Sequence, residues 1–311
     1  MLTIALVFAA FAQDPTPSVD AVSPEIATRR AEVAEWLSEL PPDEARSVAE
    51  SMVANDAALP RQTGTVSVAD GAVELQPTDG MAYLDPASAG SVLEAWGNPP
   101  GIPTLGMITS GWVHGPDTWA VVLQYEQDGW VDDSDAASID YAALLASMQA
   151  DEEAGNAQRA ELGLATLHLQ EWAEPPRYDS ASKVLYWAQH LSTSEGADTL
   201  NYEVRVLGRT GVLSLNAVAG MHQLPTVRQA MEPVREAARF TEGNRYVDYD
   251  PSSDRAAGYG LAALVAGGAI ASKTGLFKGL FVALLAGKKF VVIGLIALAA
   301  EPAGNAVEGR R

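Results

Sequence analysis

At 311 residues, 48% hydrophobic and 19% charged, the chain has the composition of a folded protein with ample material for a core. Its net charge of −20 repels phosphate backbones and argues against nucleic acid as a partner. The absence of cysteine excludes disulfides, thiolate nucleophiles, iron–sulfur clusters and cysteine-ligated zinc.

The N-terminus opens on an apolar run, residues 2–10, of signal-peptide length. Ala10-Phe11-Ala12 follows as an A-x-A cleavage pattern, and the run is too short to span a bilayer. These features predict a signal peptide over residues 1–12, although its n-region holds no charge beyond the terminal amine. Residues 13–63 read as a linker rich in Pro, Ser and Asp, followed by a helical pair. Ile26, Val33, Trp36, Leu37 and Leu40 recur at helical spacing. Pro41-Pro42-Asp43-Glu44 ends that helix and starts the next, whose apolar stripe is Ala45, Val48 and Met52. The pair either packs on the main domain or forms a separate arm.

Residues 64–250 read as the main domain. TVSV and AVELQ flank the turn Ala69-Asp70-Gly71, and MAYLD follows as a third strand. A short helix over residues 86–95 ends at Trp96-Gly97-Asn98-Pro99-Pro100-Gly101, where Gly97 suits a left-handed C-cap. Residues 118–126 form a strong strand, DGWVDD a turn, and residues 139–150 a helix carrying Leu144, Leu145 and Met148. Four strands in meander order then occupy residues 164–172, 184–190, 200–207 and 212–218. The third alternates Leu200, Tyr202, Val204 and Val206 with Asn201, Glu203 and Arg205, the pattern of a sheet covered on one side. Gly208-Arg209-Thr210-Gly211 closes a hairpin. A helix over residues 225–240 follows, with Pro233 expected to kink or split it. The fold class is α+β, an antiparallel β-sheet meander packed against helices as an α/β sandwich. At the level of fold analogy its order resembles PsbP-type sandwiches.

Residues 256–311 reverse the charge balance, with six basic and two acidic side chains against 14 and 38 before them. Residues 256–272 (AAGYGLAALVAGGAIAS) carry no charge and are rich in the small residues that let membrane helices pack closely. After Lys273 and Lys278 the chain is apolar again over residues 281–300, interrupted by Lys288 and Lys289. This predicts a membrane anchor over residues 256–300, as one transmembrane helix or a two-helix hairpin, and a polar tail over residues 301–311.

Of the histidines, His114, His168, His190 and His222, none stands in a metal-binding spacing; His168 and His190 fall on neighbouring predicted strands. The acidic run Asp128, Asp132, Asp133, Asp135 and Asp140 is the sharpest metal candidate, because closely spaced carboxylates suit Ca²⁺. It lacks the glycine and closing glutamate of an EF-hand, and a turn followed by a helix start uses the same residues. Asp248, Asp250 and Asp254 read as an acidic hinge, with Ser252, Ser253 or Asp254 capping the first tail helix. Nucleophile elbow, P-loop and dinucleotide motifs are missing, so no catalytic residue and no cofactor is assigned. Trp96, Trp112, Trp119, Trp130, Trp172 and Trp187 serve either as core anchors or as a peptide- or glycan-binding surface. Arg205 and Arg209 flank the hairpin and pair either with local acids or with a partner.

WGNPPG, LGMI (residues 105–108), YEQDGWVDDSDAASIDY (125–141), WAEPP-x-YD (172–179), NYEVRVLGRTGVLSLN (201–216) and RYVDYDPSSDRAAGYGLAALVAGG (245–268) carry a resemblance. Over residues 64–300 the chain resembles a bacterial family of uncharacterised membrane-anchored proteins that share a domain of unknown function. The resemblance implies an N-terminal signal, an extracytoplasmic domain over residues 64–250 and a C-terminal anchor. It implies a place at the bacterial inner membrane, facing the periplasm or exterior, and brings no activity. The expectation is a non-enzymatic binding or scaffold domain of the cell envelope. Its partners would be the lipid bilayer, through the tail, and an envelope protein or glycan. The alternative is an envelope hydrolase with a carboxylate-based or metal-assisted site.

Overall fold

The computed structural model describes residues 23–266, apart from residues 79, 162, 195 and 197. The expected signal peptide, the first linker residues, the polar tail and most of the expected anchor lie outside the described residues.

The chain begins with α1 (Pro24–Trp36) and α2 (Pro42–Ala57). Both start on proline, whose missing N–H costs nothing in a first helical turn. Val33, Leu37, Ala49, Met52 and Val53 form their shared core. The pair is docked on the domain rather than standing apart. Arg29 Nη2 donates to the carbonyls of His114 and Pro116, each at 2.9 Å. Asp56, 1% exposed, accepts the Val113 and His114 amides at 2.8 and 2.9 Å and pairs with Arg61 and the His114 ring. Burial pushes the Asp56 proton affinity up, but His114, Arg61 and the Val113 amide outweigh it and hold the carboxyl below its usual range.

β1 (Val66–Val68) and β2 (Val73–Leu75) form the expected hairpin, with Ala69, Asp70 and Gly71 all at positive φ in the turn. β3 (Ala82–Leu84), α3 (Pro86–Ala95), β4 (Gly106–Thr109), β5 (Ala120–Glu126) and β6 (Trp130–Asp132) follow. Then come α4 (Tyr141–Glu161), β7 (Leu167–Asp179), β8 (Val184–Thr193), β9 (Asp198–Leu207) and β10 (Val212–Gly220). α5 (Leu224–Ala237), β11 (Ala238–Phe240), β12 (Ala256–Gly260) and α6 (Leu261–Val265) complete the described chain. The main sheet has seven strands in the order β3-β4-β5-β10-β9-β8-β7, antiparallel throughout.

Several elements differ from the sequence reading. α5 stops at Ala237, because the next three residues pair with β2 as β11; Pro233 sits inside an unbroken helix. DGWVDD is a strand as well as a turn, since β6 pairs in parallel with β12. Residues 256–265, assigned to the anchor, are a strand and a short helix whose Leu261, Leu264 and Val265 are buried in the domain. Among the described residues no helix is long and apolar enough to cross a membrane.

The largest correction concerns the sheet. One face carries Leu200, Tyr202, Val204, Leu213 and Leu215 against Val227, Met231 and Val234 of α5. The other face is covered as well. Val92 and Leu93 of α3 pack with Val122 and Val218, while Met148 of α4 and Leu261 and Leu264 of α6 pack with Leu185, Trp187, Leu207 and Val212. Asn201, Glu203 and Arg205, expected at a solvated surface, are therefore buried.

Asp56→Ala leaves two amides and the Arg61 guanidinium without their acceptor and is expected to cost about 3–5 kcal/mol. A carboxyl with a lowered folded pKa stabilises the fold above its ordinary value of about 4 and loses that contribution as pH falls below it. Urea unfolding at pH 7 and pH 3 should accordingly show a smaller difference between variant and parent at the acidic pH.

Candidate functional site

The second face of the sheet holds a buried charged network. Glu203 and Arg205 lie on β9, Ser214 and Asn216 on β10, Glu126 at the end of β5 and Trp187 on β8. Strand register sets Ser214 beside Arg205, and Glu203 between Asn216 and Trp187. Arg205 Nε donates to Glu203 Oε2 at 3.1 Å, and its Nη1 pairs with Glu126. Ser214 Oγ donates to Glu203 Oε2 at 3.0 Å, and the guanidinium lies 5.7 Å from the Trp187 ring. Burial holds Glu203 above the usual carboxylate range against the pull of Arg205 and Ser214. Burial also works against the Arg205 cation, but Glu203 and Glu126 outweigh it and raise its proton affinity further. The carboxylates here act as counter-ions to a buried guanidinium. On either side of Glu203, Trp187 Nε1 and Asn216 Oδ1 are buried without a hydrogen-bond partner. These two orphans are an unused donor and an unused acceptor in one cross-strand row.

Next to this network the domain grips its own exit segment. The Trp130 amide donates to Arg255 O at 2.9 Å, Tyr259 Oη to Asp128 Oδ2 at 3.0 Å, and Asp135 accepts the Leu261 and Ala262 amides at the start of α6. Arg209 makes a two-pronged pair with Asp254 at 2.7 and 2.9 Å, which lowers that carboxyl to about 2. Gly129 has φ +112° and lies so close to β12 that an added Cβ would sit 2.5 Å from Arg255 O. The aromatic rings of Trp130, Tyr246 and Tyr249 stack beside it, with centroids 4.9 and 4.4 Å from Trp130.

The acidic run is thereby accounted for residue by residue. Asp128 holds Tyr259, Asp132 caps the Ser134 amide, Asp135 caps α6, and Asp140 caps the first turn of α4 through the Ala142 and Ala143 amides. Asp133 takes Tyr178 at 2.7 Å, Lys183 at 2.6 Å and Tyr246 at 3.1 Å. Burial raises its proton affinity, but those three donors outweigh it and hold the carboxyl below the usual range. Among the described residues no three carboxylate or imidazole groups converge as a metal-ligating set. Asp248, Asp250 and Asp254 are folded into the loop before β12, and α6 is capped from a distance by Asp135 rather than by Ser252, Ser253 or Asp254.

The histidines are dispersed. His114 faces Asp56, His168 faces Glu152, His190 faces Asp198 and His222 faces Asp117. Trp96 and Trp187 are buried; Trp112, Trp119, Trp130 and Trp172 are partly buried against the cores, so the tryptophans do not line one surface. Arg205 and Arg209 both take local acids. The sequence reading missed Glu203, Ser214 and Asn216, whose signal was a polar residue at every second position of two neighbouring strands.

A mixed α+β domain with a two-sided antiparallel sheet, clasping the segment that leads out of it, is the class this geometry defines. Over residues 60–299 the chain matches the family described as "Protein of unknown function (DUF2167)", and it belongs to that family. Comparison with curated proteins finds no match. Among solved structures it is similar to cyanobacterial PsbP (CyanoP) from Synechocystis sp. PCC 6803, at 8% identity and TM-score 0.33, covering 57% of this chain and 91% of that one. It is also similar to LpqN, involved in cell envelope biogenesis of Mycobacterium tuberculosis, at 16% identity and TM-score 0.30, covering 60% and 94%. Both TM-scores are low, and the fold rests on its own geometry.

Arg205→Met strands buried Glu203 and half-buried Glu126 and is expected to destabilise the domain by about 3–5 kcal/mol, whereas adding Glu203→Gln to it should restore part of the loss in urea unfolding. Gly129→Ala should part β6 from β12. Its signature is faster hydrogen exchange at the Trp130 amide and a red-shifted tryptophan emission, with the β9 amides unchanged.

Proposed function

We propose that this protein is a membrane-tethered binding or scaffold domain of the cell envelope, exported by its N-terminal segment and facing the periplasm or exterior. The observation that carries the reading is the grip of β6 on β12. The chain enters its apolar stretch, residues 267–300, from a segment fixed to the sheet by backbone pairing, a two-pronged ion pair and a capping carboxylate. A loose linker would leave the domain free of whatever the tail does; this connection couples them. Residues 281–300 follow Lys273 and Lys278 and are interrupted by Lys288 and Lys289; they suit a bilayer with those side chains snorkelling to the interface. With residues 256–265 used inside the domain, a single span fits the remaining length better than a hairpin.

Binding is favoured over catalysis because the carboxylates of the network are committed to Arg205 and Ser214. The alternative of a carboxylate-based hydrolase would have to use Glu203, which burial holds above the usual carboxylate range but which is 7% exposed and bonded to Arg205 and Ser214.

Full-length protein expressed with its N-terminal segment should sediment with membranes and stay there after alkaline carbonate, while a chain ending at Ala266 should remain in the supernatant. A full-length chain that stays dissolved and monomeric without detergent would remove the tether.

A further inference from the structure

We propose that the second half of α4 is a removable cover over a strand-addition site, and that the site takes a basic, extended segment of a partner protein. The inference goes beyond the membrane tether and does not depend on it. β7 is an outer strand of the main sheet, so its backbone groups facing away from β8 need partners. From Ala165 to Gln170, side chains of α4 supply them. Gln149 Nε2 donates to the carbonyls of Leu169 and Gln170 at 3.0 and 2.9 Å. Glu152 Oε2 accepts the Leu169 amide at 2.9 Å. Asn156 bonds Leu167 in both directions, donating to its carbonyl at 2.7 Å and accepting its amide at 2.8 Å. Arg159 Nε donates to Ala165 O at 2.6 Å.

Positions 149, 152, 156 and 159 advance by three and four residues and form one stripe of the helix. At 1.5 Å per residue that stripe is about 15 Å long, and the strand it faces is about 17 Å. One helix face thus imitates a neighbouring strand, and the Asn156 carboxamide imitates its peptide group.

The cover is held by polar contacts. Among the described side chains of α4 Met148 is the last buried apolar one, and none from Gln149 to Glu161 is buried. Gly155 lowers helix stability within this same half. The first half is anchored by Leu144, Leu145 and Met148, so the second can detach while the first stays. Detachment bares the N–H and C=O groups of Leu167 and Leu169, which an antiparallel peptide satisfies. Charge selects that peptide. Exposed Glu171 stands on β7 itself, and the chain as a whole carries −20. A basic segment is attracted there and a second copy of this acidic chain is repelled.

The test uses the full-length chain in mild detergent and a short peptide alternating lysine with valine. In Gln149→Ala/Asn156→Ala the Leu167 and Leu169 amides should exchange roughly tenfold faster or more, with β9 amides unchanged. The lysine peptide should bind this variant about tenfold more tightly than the parent, and added salt should weaken it. Gly155→Ala, whose Cβ meets open space, should act in the opposite direction on both readouts and serves as a variant expected to fold. The proposal is overturned by unchanged exchange at Leu167 and Leu169, by equal peptide affinity in parent and variants, or by equal binding of a glutamate-for-lysine peptide. Dimerisation of the double variant would also overturn it, by making a second copy the occupant. Neither readout involves the tail, so its failure and the failure of membrane sedimentation are separate results.

Discussion

Layers on both faces of the seven-stranded sheet impose the constraint from which the other features follow. α5 alone would leave β9 and β10 half solvated, and their alternation of polar and apolar residues would need no comment. Once α3, α4 and α6 close the opposite face, every polar side chain there must find a partner or cost free energy. Arg205 answers that demand by gathering Glu203 and Glu126, with Ser214 completing the Glu203 end. An ion cluster of this kind contributes little net stability, yet losing one member is expensive. It therefore fixes which side chains share the site more than it strengthens the fold.

The same closure gives α6 its place. A short helix of five residues has no stability of its own; packing of Leu261 and Leu264 on the sheet and the Asp135 cap hold it. The two segments rich in aspartate, one after β5 and one before β12, meet where Tyr246 donates to Asp133 and Tyr249 stacks on Trp130. Their acids serve as caps, phenol acceptors and counter-ions, so the negative charge of the body is in part internal architecture.

Much of the main sheet was legible because its strands alternate or run apolar and its turns carry glycine, as in the β9–β10 hairpin; the β1–β2 turn of the small sheet with β11 follows from the same local signals. Helix α3 was legible from its proline start and glycine stop. What stayed hidden was long-range. Nothing local distinguishes a polar residue facing water from Glu203 facing Arg205, because the distinction is made by helices far away in sequence. Residues 256–265 misled for a related reason: glycine, alanine and leucine without charge suit a lipid-facing helix and equally a strand and helix pressed against a sheet. In the acidic run Asp132, Asp135 and Asp140 take the turn and cap roles of the sequence reading, whereas Asp128 and Asp133 hold side chains from far along the chain, which no local pattern announces. Gln149, Glu152, Asn156 and Arg159 were invisible as a group, since their partners are backbone atoms.

The pairing of β6 with β12 also decides how the domain would respond to tension. In a parallel pair a pull on β12 along its own axis would shear it past β6, so the backbone bonds, the Arg209–Asp254 fork and the Asp135 cap would share the load instead of opening one after another. Gly129 permits the close approach that keeps those bonds short. Loaded that way, the exit segment would act as a shear joint, in which several weak contacts must yield together.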